Sequence, residues 1–162
     1  NGEIDHLVNF GNDIREPLIA MLDFSDTESE KEHFSLYRKQ TESQGWHGED
    51  FHFIRDVRQF AAKILYHLKH AGYKPETDEI RMKLMLALLT AGSPYSIDAK
   101  DELISMGKKS FTFLIKKMKT SPEKEIYGTK IPNLLSKMVL NLLENNDLSN
   151  DNIDNIWENL DN

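Results

Sequence analysis

Apolar side chains recur at intervals of three and four along most of this chain, and that spacing leaves little room for any fold but a helical one. The longest example is Phe53, Val57, Phe60, Ala61, Ile64, Leu65 and Leu68. It predicts one face of an amphipathic helix, ending where Gly72 offers a C-cap glycine. Ile14, Leu18, Ile19, Met21 and Leu22 keep the same spacing, with Pro17 tolerable only near a helix start. Thr77 precedes a further helix through Leu89, which Ala91-Gly92-Ser93-Pro94 stops. No convincing period-2 strand pattern competes with these segments.

The rest of the chain continues the pattern. Thr27 with Glu30 forms a capping-box start for a polar helix carrying Phe34, Leu36 and Tyr37, which Gln44-Gly45-Trp46-His47-Gly48 interrupts. Ser96 is placed as the N-cap of a short helix reaching about Met106. Gly107 then turns the chain into a second helix holding Phe111, Leu114, Ile115 and Met118, closed by Thr120-Ser121-Pro122. Residues 123–131 are polar and read as a loop with at most a short extended piece. Pro132 marks a helix start, with Leu134, Leu135, Met138, Leu142 and Leu143 on its apolar face. Ser149 caps a last short helix bearing Ile153, Ile156, Trp157 and Leu160. The expectation is an all-α fold of seven to eight helices, a bundle or irregular array forming a single domain over residues 1–162.

Charge is distributed unevenly. The formal net charge is −7. Residues 1–50 hold twelve carboxylates against four bases, a balance of −8, whereas residues 100–137 hold nine lysines against four carboxylates, a balance of +5. Residues 138–162 contain no lysine or arginine and carry Glu144, Asp147, Asp151, Asp154, Glu158 and Asp161, a balance of −6. Such bias points to a cationic partner more than to a substrate. It disfavours nucleic acid, although the lysines at 108, 109, 116, 117 and 119 could touch phosphates.

Cysteine is absent, which excludes a disulfide framework, a thiolate nucleophile and a cysteine-based zinc site, and fits a reducing cytoplasm. The longest apolar run, Leu84-Met85-Leu86-Ala87-Leu88-Leu89, is far short of the roughly 18 residues a membrane span needs. The first residues lack the pattern of a signal peptide. The localisation expected is cytoplasmic, with no membrane partner.

Catalytic and metal-binding patterns fail one by one. His67 and His70 lie three apart on a predicted helix, but Lys63 and Lys69 flank them where further ligands would be needed. They read as histidines near a helix C-terminus, where a cation complements the dipole. His47-Gly48-Glu49 matches the H-x-E element of zinc deaminases, whose paired cysteines this chain lacks. The cluster Trp46, His47, Glu49, Asp50 and His52 has the composition of a general-base site. Its glycines, Gly45 and Gly48, make it a loop instead, Asp50 suits a helix start, and Trp46 could be a contact residue. No nucleophile elbow, Walker loop or dinucleotide fingerprint occurs. The expectation is a non-enzyme with no catalytic residue, no metal and no cofactor.

The segment Ala99-x3-Leu103-Ile104-x-Met106-Gly107-Lys108-Lys109-Ser110-x3-Leu114-Ile115-x2-Met118 resembles one HEAT-type helical hairpin. In that family an alanine and aliphatics pack the first helix, a glycine makes the turn, and aliphatics line the second. Taken with the carboxylates, the chain is similar in type to the small acidic helical immunity proteins of bacterial contact-dependent growth inhibition and related toxin systems. That resemblance implies a cytoplasmic protein that binds a cognate basic toxin, such as a nuclease, and covers its active cleft with acidic residues. The residues expected to bind are Asp23, Asp26, Glu28, Glu30, Trp46, His47, Glu49, Asp151, Asp154 and Glu158. The alternative is a HEAT-like adaptor or scaffold that holds a protein or peptide partner in a groove.

Overall fold

Helical periodicity becomes helix throughout the described part of the chain. The computed structural model describes residues 14–24, 50–70, 72–119 and 123–144, and among these no strand occurs. The helices are α1 (Arg15–Met21), α2 (Asp50–His70), α3 (Asp78–Leu88), α4 (Tyr95–Ser105), α5 (Lys108–Met118), α6 (Glu123–Tyr127) and α7 (Lys130–Glu144). The backbone gathers into two compact units, residues 1–87 and residues 88–162.

In the first unit α1 packs on α2. Leu18 and Leu22 supply the buried side of α1, and Ala61, Ala62, Ile64, Leu65 and Leu68 that of α2. Pro17 lies at the third helical position, where its missing N–H is one that a helix start leaves unpaired anyway. The apolar stripe read for α2 needs one correction. Phe60 is 50% exposed, whereas Arg58 is only 5% exposed and shares the face of Ala61, Leu65 and Leu68 by its spacing of three, seven and ten. Phe60 sits at the edge of the stripe because the buried arc is centred on the Arg58–Ala61–Leu65 row.

Gly72 ends α2 with φ of 106°. The Tyr73 N–H donates to the Leu68 carbonyl at 2.9 Å and the Gly72 N–H to the Lys69 carbonyl at 3.1 Å. This is the Schellman pattern, in which a left-handed residue after the helix closes its last carbonyls. Thr77 caps α3 as its side chain predicts: the Ile80 N–H donates to Thr77 Oγ1 at 3.2 Å.

The second unit is organised around a helical hairpin. α5 packs against α4, α6 and α7, and α4 also touches α7. Ala99 and Leu103 of α4, Ser110, Phe111 and Leu114 of α5, and Ile131, Leu134, Leu135, Met138 and Leu142 of α7 are buried. Gly107 makes the α4–α5 turn at φ 57° and ψ −132°, a conformation in which an L side chain is strained. A Cβ built there would meet only Leu142 Cδ2, at an ordinary 3.8 Å, so the obstacle is backbone strain and not space. A Gly107→Ala variant is therefore expected to lose about 1–3 kcal/mol of unfolding free energy. Chemical denaturation would check this, and an unchanged midpoint would show that the turn relaxes without cost.

Ser110 reinforces the same turn. Its fully buried hydroxyl reaches the Leu103 carbonyl, one of those left without an N–H partner at the end of α4, and lies 2.9 Å from the Gly107 carbonyl.

Two local expectations are overturned. Ser96 is not the cap of α4: Pro94 occupies that position, follows a cis peptide bond from Ser93, and its carbonyl accepts the N–H groups of Ile97 and Asp98. The stretch 123–131 is not a loop, because α6 occupies Glu123–Tyr127 and α7 has begun by Lys130. Burial of Ile126 and Tyr127, and of Glu123 beside Lys117, overrides the polar look of that stretch. The helices anticipated from Thr27–Glu30 and from Ser149, and the loop at Gln44–Gly48, lie outside the described residues.

Candidate protein-interaction surface

Of the residues expected to bind a partner, Asp23 alone is described. Asp26, Glu28, Glu30, Trp46, His47, Glu49, Asp151, Asp154 and Glu158 lie outside the described residues. Asp23 follows α1 and places Oδ2 2.7 Å from Lys83 Nζ, while Lys83 also meets Glu79 Oε1 at 2.9 Å one turn back on α3. About half of the Asp23 side chain is exposed, so the carboxylate keeps a solvent-facing side while tied to the frame. Burial alone would lower the Lys83 pKa, but hydrogen bonds to Asp23 and Glu79 outweigh it and raise the pKa above its ordinary value.

One residue on, the buried Arg58 donates from Nε to the Phe24 carbonyl at 2.8 Å. Asp23 and Phe24 are thus held by Lys83 and Arg58 at the point where the acidic residues 25–49 begin. Neither clamp was anticipated from the sequence. Arg58 could have been found from its register on the apolar face. Lys83 gives a weaker signal, a single lysine beside a run of buried aliphatics.

A second polar cluster links Arg15, Tyr73 and Glu76. The Tyr73 hydroxyl donates to Glu76 Oε2 at 3.0 Å, and the Arg15 guanidinium carbon sits 5.8 Å from the Tyr73 ring centre. Arg15 Nε lies 3.1 Å from Glu76 Oε1 but out of line for a hydrogen bond, so that contact is electrostatic. Burial, then the hydrogen bond to Glu76 and its charge, push the Tyr73 phenol up to about 12, while Arg15 acts in the opposite direction. Because the folded pKa exceeds the ordinary 10.0, the stability it contributes is complete below about pH 10 and is lost as pH rises through about 12. Absorbance titration of the wild type against Tyr73→Phe is expected to give a difference midpoint near pH 12. A midpoint near 10 would contradict the hydrogen-bonded cluster.

The strongest charged surface among the described residues belongs to α5. Lys108, Lys109, Thr112, Lys116 and Lys119 are exposed, while Ser110, Phe111 and Leu114 face inward. Phe111 is core and Phe113 is only partly covered, as their different helix faces predict. Lys117 meets the buried Glu123 at 3.3 Å and lies 5.8 Å from the Phe113 ring centre. His67 and His70 flank Tyr66, with ring centres 5.8 Å and 4.5 Å from it. Among the described residues no group of three or more potential ligands is placed to hold a metal, and no helix is long and apolar enough to cross a membrane.

Compared with known protein families, with curated proteins and with solved structures, the chain matches none.

Proposed function

We propose that this chain is a non-enzymatic, cytoplasmic inhibitor of the immunity-protein type, which binds and neutralises a cognate basic toxin by laying carboxylates over its active cleft. The observation that carries this proposal is the uneven charge along the sequence, −8 over residues 1–50 and −6 over residues 138–162 against +5 over residues 100–137. Carboxylates at Asp26, Glu28, Glu30, Glu49, Asp151, Asp154 and Glu158 stand in for the phosphates that a nuclease's Lys and Arg side chains would hold. Asp23 contributes its exposed side while Lys83 fixes its position. Trp46, with His47 beside it, or Trp157 adds desolvated contact area at the centre of the interface. Clusters of one sign raise the association rate with an oppositely charged partner and are sensitive to salt.

The direct test is co-purification with the basic C-terminal domain of a large secreted protein encoded immediately upstream. A stable one-to-one complex is expected. No complex in low salt with such a domain would overturn the proposal.

A second proposal, a HEAT-like helical adaptor, draws on the α4–α5 hairpin. Its turn is built on Gly107, and α5 and α4 both pack on α7 as a repeat would pack on its neighbour. In an array of seven to eight helices, such a hairpin would line a groove for a peptide. A partner bound by residues 99–118 and indifferent to charge reversal at 147–158 would favour the adaptor.

A further inference from the structure

The outer face of α7 carries an open leucine between two opposite charges. On the inner face, Ile131, Leu134, Leu135, Met138 and Leu142 are buried, and α4 and α5 pack against the helix. Asn133, Lys137, Leu140 and Glu144 follow one another at four, three and four residues, the interval that sets them in one row on the opposite side. All four are exposed, Leu140 to 65%. One apolar side chain flanked along a row by charged ones is the pattern of a short helix-pairing seam.

The order of the charges selects what pairs with it. Lys137 and Glu144 are centred on the point midway between residues 140 and 141. A second α7 lying antiparallel across a two-fold axis through that point sets Lys137 of each copy against Glu144 of the other. The contact is then made twice, as an isologous interface requires. The two Leu140 side chains are offset by only about 1.5 Å along the helices, the rise of one residue, and cover one another. A parallel pairing fails, because it sets lysine against lysine and glutamate against glutamate. The end of α7 adds a reason of its own. Its last turn holds Glu144 and no basic residue, so the carbonyls left unpaired there have no cation from their own turn. Lys137 of a second copy supplies one. Neither Lys137 nor Glu144 has an ion pair among the described residues that must first be broken.

We propose that the outer face of α7 is a self-association surface, on which a second copy of this chain docks antiparallel. Lys137–Glu144 pairs lie on either side of a Leu140–Leu140 contact. Residues 137–144 span only about 10 Å of helix. A contact that small falls short of a stable interface, so the dimer is weak, with a dissociation constant of about 0.1–1 mM. The formal charge of −7 on each copy opposes approach in low salt. At about 150 mM salt the Debye length is about 8 Å, and charges in direct contact outlast the long-range repulsion. The surface shares no residue with the toxin-binding set and does not depend on that proposal.

Sedimentation of the full chain from about 10 μM to about 1 mM, in about 150 mM salt, tests the surface without any other partner. Mostly monomer is expected at the low end, and half or more of the chain in dimers at the high end. Lys137→Glu alone and Glu144→Lys alone are each expected to weaken association at least about tenfold, because each turns both attractive contacts into like-charge contacts. An equimolar mixture of the two variants is expected to recover association, since every contact between them again joins opposite charges. Circular dichroism checks that both keep their helicity. A chain that stays monomeric to about 1 mM would overturn the proposal and leave this face to solvent or to a different protein. Dimers that both reversals leave intact, or a mixture that recovers nothing, would overturn it as well by placing the contact elsewhere.

Discussion

A Leu114→Ala variant is expected to lose about 2–5 kcal/mol of unfolding free energy. Leu114 is completely buried on the inner face of α5, and α5 is the helix against which α4, α6 and α7 all pack. The substitution removes the terminal isopropyl group from the packed face of α5 and leaves a cavity, which the surrounding helices fill only in part. Native domains are stable by only about 5–15 kcal/mol, so the loss is a large share of the total. Leu140, on α7 and 65% exposed, is the internal control: Leu140→Ala should stay within about 0.5 kcal/mol of wild type. Urea melts followed by circular dichroism would separate the two. Equal midpoints for both variants would mean that α5 is not the centre of its unit.

Neutralising Asp26, Glu28, Glu30, Asp151, Asp154 and Glu158 as Asn or Gln is expected to slow association with the proposed basic partner about 10–100-fold. The six substitutions take the formal charge from −7 to −1, so the long-range attraction nearly disappears while side-chain volume is kept. Dissociation should change less, since close contacts and not the field set the lifetime of the complex. Circular dichroism confirms that helicity is retained. Association as fast as wild type would show that these carboxylates serve only solubility.

Periodicity made the helical class legible, and single residues marked several boundaries. Thr77 was readable because its hydroxyl has one good use at a helix start, and it makes that bond. Gly72 and Gly107 were readable because a glycine after an apolar stripe signals a left-handed turn, and both have positive φ. Residues 123–131 were misread because composition reports polarity and not partnership. Glu123 is polar yet buried, since Lys117, six residues earlier, supplies its counter-charge. Arg58 and Phe60 show the same limit. Side-chain chemistry alone puts Phe60 inside and Arg58 outside, whereas the register of α2 and a carbonyl of Phe24 decide the opposite.

The candidate interaction surface was legible as charge and not as geometry. Its acidic segments could be counted, but nothing local in the sequence foretells that Lys83 would clamp an aspartate 60 residues away or that Leu142 would lie against Gly107. Those pairings come from tertiary packing. They place Asp23 beside Lys83, the Phe24 carbonyl at Arg58, and Leu142 of α7 at the Gly107 turn.

The most direct measurement of the central claim is the association rate of the wild-type protein with the proposed basic partner over a range of salt, from about 20 mM to about 500 mM. The rate is predicted to fall steeply with ionic strength while the dissociation rate stays nearly constant. A rate that does not change across that range would contradict the claim that the acidic segments capture a cationic partner.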